Sequence, residues 1–141
     1  MAQWWAWLRA RFKRAPQSLG DRGEAAAAKF LKRLGYRIVA TQARSQLGEL
    51  DLIAVDGRTI VFVEVRTRSD TQHGSPLETV DLAKQKRLTR VALGYLKRHR
   101  LLNHSCRFDV VSVVWPSDSN EPQIEHIRDA FPATGFDGMY S

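Results

Sequence analysis

Cysteine is almost missing from this chain. Cys106 stands alone in 141 residues, so no disulfide can form within the chain and no thiolate-rich zinc site is available. Histidine is scarce too: His73, His99, His104 and His126 lack metal-ligand spacing apart from a loose pair at 99 and 104, and each reads as an ordinary surface or loop side chain. No apolar run is long enough to cross a bilayer. The N-terminus lacks the basic-then-apolar order of a secretory signal, so a cytoplasmic protein is expected. Internal repeats and low-complexity tracts are absent as well. Any chemistry must therefore come from carboxylates and cations.

Base is what the chain has in excess. Against 15 Asp and Glu stand 22 Lys and Arg, a formal charge of +7. Clustered cations attract phosphate through long-range fields and counterion release. Charge alone leaves nucleic acid, anionic lipid or no specific partner open. The length suits one domain with a real core.

Along the chain the organisation reads as a Trp- and Arg-rich extension at 1–17, a domain at 18–131 and a flexible tail at 132–141. In the extension, Trp4, Trp5, Leu8 and Phe12 share one helical face, with Arg9, Lys13 and Arg14 largely opposite. Such a helix suits peripheral contact with an anionic membrane, stacking on nucleic acid, or docking on its own domain. The spacing predicts a helix over 19–34, with Ala27, Phe30, Leu31 and Leu34 facing inward and Gly35 ending it. Glu24 falls on the same row, either aimed at whatever the helix packs on or complementing the helix start.

Strands follow at 36–43, 49–55 and 59–66. A second helix begins either at SPLE, residues 75–78, or at Asp81, and runs to about Arg98. Leu88, Ala92, Tyr95 and Leu96 face inward; Lys84, Lys86, Arg87, Arg90, Lys97 and Arg98 face mostly outward, making this the most basic element. Those cations would track a phosphate backbone, or simply keep a charged helix soluble. A buried strand at 107–115 and a short edge strand at 123–131 complete the domain.

The stretch GELDLIAVDGRTIVFVEVR carries the chemistry. With Asp56 and Gly57 central in a tight turn, Asp51 lies opposite Phe62 and Glu49 opposite Glu64. Glu49, Asp51, Phe62, Glu64 and Arg66 then project from one sheet face, and Leu50, Leu52, Val61, Val63 and Val65 from the other. Asp51 and Glu64 become diagonal neighbours, near enough to share a divalent cation. Without one, like charges repel and a partly buried carboxylate loses hydration. Mg²⁺ would offset both costs, taking one or two carboxylates and completing its shell with water and phosphate oxygens. A solvated acidic face neutralised by Arg66, Arg68 or Arg44 accounts for the same residues.

GELDLIA followed by FVEVRTR, with GEAAAAKFLKRLGY upstream and AKQKRL downstream, resembles the YraN-like family of predicted endonucleases over residues 20–114. That family is placed in the restriction-endonuclease-like superfamily, related to archaeal Holliday-junction resolvases. The resemblance implies an α/β fold with a mixed sheet flanked by helices, and a Mg²⁺- or Mn²⁺-dependent deoxyribonuclease acting on branched or structured DNA. By position, Asp51 matches the first metal-binding acid, Glu64 the second, Glu24 a helical acid that completes some of these sites, and Gln85, more loosely, a helical polar residue. Resolvase relatives suggest a homodimer by analogy. Arg66 departs from the pattern, which has lysine there. Arginine cannot act as a base, so Arg66 would orient water or stabilise phosphate charge, and activation of water would fall to the metal. A module that kept the fold and lost the chemistry is the alternative.

Overall fold

The computed structural model describes residues 18–69 and 80–133. The extension at 1–17, the SPLE stretch and the tail beyond 133 lie outside the described residues.

Helix α1, Leu19–Arg33, starts from a capping box in which Ser18 Oγ accepts the Asp21 N–H at 3.1 Å and the Asp21 carboxylate takes the Ser18 N–H at 3.4 Å. It ends early enough that Leu34 is the C-cap, so this residue, expected on the inward row, is 55% exposed. Strands β1 (Arg37–Ser45), β2 (Gly48–Asp56) and β3 (Thr59–Arg68) follow, then helix α2 (Leu82–Arg98), β4 (Cys106–Val114) and β5 (Gln123–Phe131). Of the two starts open to α2, Asp81 is the cap: its carboxylate accepts the Lys84 N–H at 2.8 Å.

The five strands form one mixed sheet in the order β1-β2-β3-β4-β5. Neighbours are antiparallel except β3 and β4, whose parallel pairing is spanned by α2 as the crossover. The expected α/β architecture, a mixed sheet flanked by helices, is the one observed. Helix α1 covers Leu52, Ala54, Val61, Val63, Val111 and Val113 on one face. Helix α2 lays Leu88, Val91, Ala92 and Leu96 over Ile53, Phe62, Phe108 and Val110 on the other. Each buried Leu, Ile, Val or Phe among these stabilises the fold by about 1.5–3 kcal/mol. Coverage on both sides is why β3 and β4 are almost continuously apolar.

The hairpin forms at the expected place with a different register. Gly57 and Arg58 are the central pair, Asp56 faces Thr59, and Ile53, not Asp51, faces Phe62. Gly57, at φ +62, takes the first central position, where a primed turn needs a residue that tolerates positive φ. This is a slip of two residues, and an even slip leaves every side chain on its own face. Asp51 and Glu64 therefore stay together.

Alternation fails at one level of the sheet. Leu50, expected beside Leu52, packs instead under α2 with Ile53 and Phe62. The β2–β3 ladder ends at Leu52–Val63, and in β1 the residue beside Asp51 is Gln42, at φ +48 between Thr41 and Ala43. Both strands kink there, turning Leu50 to the opposite core. Further irregularities interrupt β1 between Ile38 and Ala40, and β5 opposite Phe108–Val110, where Asp129 has φ +50.

Candidate metal and phosphate site

The kink is where the acids gather. Beyond Leu52–Val63 the next donor on β3, the Val65 N–H, goes to Asp51 Oδ2 at 2.8 Å, so a side chain stands in for a backbone carbonyl and separates the strands. The Glu64 side chain lies near enough to act on the Asp51 carboxyl by charge and hydrogen bonding. Burial first, then the bond and charge of Glu64, push Asp51 up to about 8, with Glu24 adding to the rise and the Val65 N–H opposing it. Asp51 and Glu64 are thus close neighbours, as the shared sheet face led one to expect.

Glu24 arrives from α1. Gly23, immediately before it, sits so close to β3 that a methyl group there would collide with the Thr67 side chain. Glycine lets the helix descend onto the strand and carry Glu24 toward the acids. Burial raises Glu24 above the ordinary carboxylate value, a hydrogen bond with Gln42 opposes this, and the charges of Glu49, Asp21 and Glu64 add to it. Gln42 also donates to Asp21 Oδ1 at 3.2 Å. Its role was not visible in the sequence, where nothing marks an exposed glutamine in a strand.

Two oxygens in this group are buried and lack a hydrogen-bond donor: Glu24 Oε1 and Glu64 Oε2. Glu64 is only 6% exposed, and the cation against its Oε2 is Lys84 Nζ, in an ion pair without hydrogen-bond alignment. Of the arginines expected to neutralise the acids, Arg44 pairs with the exposed Glu49 at 3.1 Å. Arg66 is half-buried two residues beyond Glu64 on β3, hence on the same face by alternation. Among the described residues no group of three or more His, Cys, Asp or Glu is placed to hold a metal ion as it stands. A Mg²⁺ or Mn²⁺ ion would rest on Asp51 and Glu64, which suits a cation that keeps most of its water. The orphaned oxygens fit such an occupant: acids without donors are what a hard cation satisfies.

The basic residues of α2 divide. Lys86, Arg87 and Arg90 are exposed, whereas Lys84 and Gln85 are half-buried. Gln85 Nε2 donates to Val80 O at 2.8 Å and ties the incoming chain to the helix, so that donor is committed to the protein's own backbone. The signal for Lys84 was available: it lies one turn before Leu88 on the buried stripe.

A second acidic group occupies the other end of the sheet. Asp109, 0% exposed, receives Arg107 Nε at 3.0 Å, the Asp129 N–H at 3.0 Å and His126 Nε2 at 2.8 Å. Arg107 continues to Tyr36 Oη at 2.6 Å and Asp56 Oδ2 at 3.0 Å. Burial raises Asp109, yet the bonds from His126, Arg107 and Asp129 outweigh it and hold the carboxyl below its usual value. His126, read from the sequence as a surface or loop residue, has a side chain only 7% exposed: β5 pairs with β4 and turns its ring inward onto Asp109. His99 and His104 are exposed, and His73 lies outside the described residues.

Residues 23–113 match the model of a family described as uncharacterised protein family UPF0102. A UPF0102 protein of Rhodopirellula baltica is 51% identical over 125 residues, which cover 86% of this chain and 75% of the relative. Another, from Geotalea daltonii, is 43% identical over 124 residues, 88% of this chain and 97% of the relative. One from Symbiobacterium thermophilum is 48% identical over 115 residues, 82% and 97% of the two chains. The matched span takes in Glu24, Asp51, Glu64, Arg66 and Lys84. No described helix is long and apolar enough to cross a membrane.

Proposed function

The chain belongs to protein family UPF0102, and from that premise we propose that it is a metal-dependent endonuclease that hydrolyses phosphodiester bonds in DNA, with branched or structured DNA as the substrate class. The observation that carries this reading is the meeting of Asp51 and Glu64 where β2 and β3 part, with Glu64 Oε2 and Glu24 Oε1 buried and lacking hydrogen-bond donors. A fold gains nothing from acids so arranged, because each buried oxygen without a donor costs about 1–3 kcal/mol.

Asp51 and Glu64 would hold Mg²⁺ or Mn²⁺, which would polarise the scissile phosphoryl group and make water a better nucleophile at neutral pH. Glu24, reaching in from α1, orients water beside that pair. Arg66 offers a planar fork of donors to phosphate oxygens and stabilises the charge that develops there, a role that needs no proton transfer. Lys86, Arg87 and Arg90, exposed along α2, contact the DNA backbone and set its position without reading its sequence.

The test is cleavage of supercoiled and branched DNA with Mg²⁺ or Mn²⁺, beside Asp51→Asn and Glu64→Gln. Metal-dependent cleavage lost in both variants supports the enzyme. A DNA-binding module without chemistry is the second reading, and the cation already seated on Glu64 favours it. DNA binding with no cleavage under any divalent ion would establish that module and remove the nuclease.

A further inference from the structure

We propose that Lys84 is a positioning residue of this same site: its ammonium holds Glu64 Oε2 until a divalent cation takes that oxygen, and then serves the substrate's phosphate. The inference rests on the metal reading above and adds an occupant that must leave.

Glu64 is 6% exposed, and its Oε2 has Lys84 Nζ against it and no aligned hydrogen bond. A buried carboxylate without a countercharge is strongly unfavourable, and the lysine supplies that countercharge to Glu64 whenever no metal is bound. The backbone of Lys84 is fixed by its own N–H on the Asp81 cap at 2.8 Å, in a helix start that the Gln85 side chain ties to Val80 O at 2.8 Å. Its head group is not fixed in the same way. The Lys84 side chain is 44% exposed, and a flexible four-carbon stem anchored in the first turn of α2 lets the ammonium swing between Glu64 and solvent.

Two cations cannot share one carboxylate oxygen without repelling each other, so the ammonium and a divalent ion exclude one another at Oε2. Once displaced, the ammonium remains tethered within one side-chain length of the acids, where it would be able to pair with a substrate phosphate. Lys86, Arg87 and Arg90, on the exposed side of the helix, have no such access.

Calorimetric titration of the full-length protein with Mn²⁺, wild type against Lys84→Met, tests the exchange. Loss of a half-buried competing ion pair implies Mn²⁺ binding about five- to tenfold tighter in the variant. Lys84→Gln, which keeps a donor and loses the charge, shifts affinity the same way, and thermal unfolding of both variants verifies that they fold. Equal or weaker affinity in the folded variants overturns the exchange and leaves the metal site standing. No binding by wild type or variant overturns the metal reading itself, and the exchange with it. Salt titration of duplex DNA binding in Ca²⁺ tests the second half: Lys84→Met lowers the salt slope by about one. An unchanged slope removes the phosphate role.

Discussion

Asp109 and Asp51 are both acids built into the same sheet, and they are treated in opposite ways. Asp109 is surrounded by donors, namely Arg107, His126 and the Asp129 N–H, and its carboxyl is held below the ordinary value. Asp51 accepts the Val65 N–H, yet burial and then the influence of Glu64, with Glu24 adding to it, push it up to about 8. Sequence separation does not explain the contrast, since each group draws its members from several elements. The difference lies in what completes each group. Around Asp109 the fold supplies every partner, so the group pins β4, β5 and the β2–β3 turn together. Around Asp51, among the described residues, the groups that move its carboxyl are mainly acids, the arrangement that the proposed metal site would use.

The largest effect is expected from breaking the satisfied group. Asp109→Ala leaves the Arg107 guanidinium, 13% exposed, facing a cavity, and should cost about 3–5 kcal/mol in urea unfolding. Glu64→Gln, by contrast, should change metal-free stability by less than about 1 kcal/mol, because a gain from relieved repulsion opposes the loss of the Lys84 pair. Equal penalties for the two would mean that both groups are structural. Next comes Gly23→Ala, whose methyl group meets Thr67 and should cost about 1–3 kcal/mol while lifting Glu24 from the acids. A thermal scan reads the first effect and a weakened Mn²⁺ affinity the second.

The pH dependence sharpens the contrast further. Asp51 titrates near 8 in the folded chain against 3.8 for the free group, so folding favours its protonated form. Its contribution is fully present below about pH 4 and is lost as pH rises toward 8, with a slope of at most about 1.4 kcal/mol per pH unit. Asp109 runs the other way: its contribution is present above the unfolded value of 3.8 and is lost as pH falls through its lower folded value. Melting temperatures of metal-free protein should therefore fall from pH 6 to 8, and Asp51→Asn should flatten that fall. Mn²⁺ should reverse it. The smallest expected effect is on the outer face of α2, where Lys86→Ala shifts stability by no more than about 0.5 kcal/mol and lowers the DNA salt slope by about one.

Much of this was legible in the sequence. The helices and strands announce themselves through the alanine-rich row that ends at Gly35, the alternation around Asp56-Gly57 and the apolar run of β4, because local pattern and burial agree there. Asp51 and Glu64 could be paired because an even register slip preserves their face. What could not be read was the kink. Leu50 turns to the wrong core only because the Asp51 side chain replaces a carbonyl in the ladder, and no propensity encodes that. Lys84 was grouped with outward cations although its place one turn before Leu88 put it on the buried stripe. His126 was read as a surface or loop residue because its partner, Asp109, is supplied by a neighbouring strand and not by sequence spacing.

The two outermost strands carry the consequence of the irregularities noted above. Strand β1 is bulged between Ile38 and Ala40 and turns through positive φ at Gln42, and β5 is bulged around Asp129. An incoming chain would find neither border regular enough to extend the hydrogen-bond ladder, so both margins resist edge-to-edge aggregation.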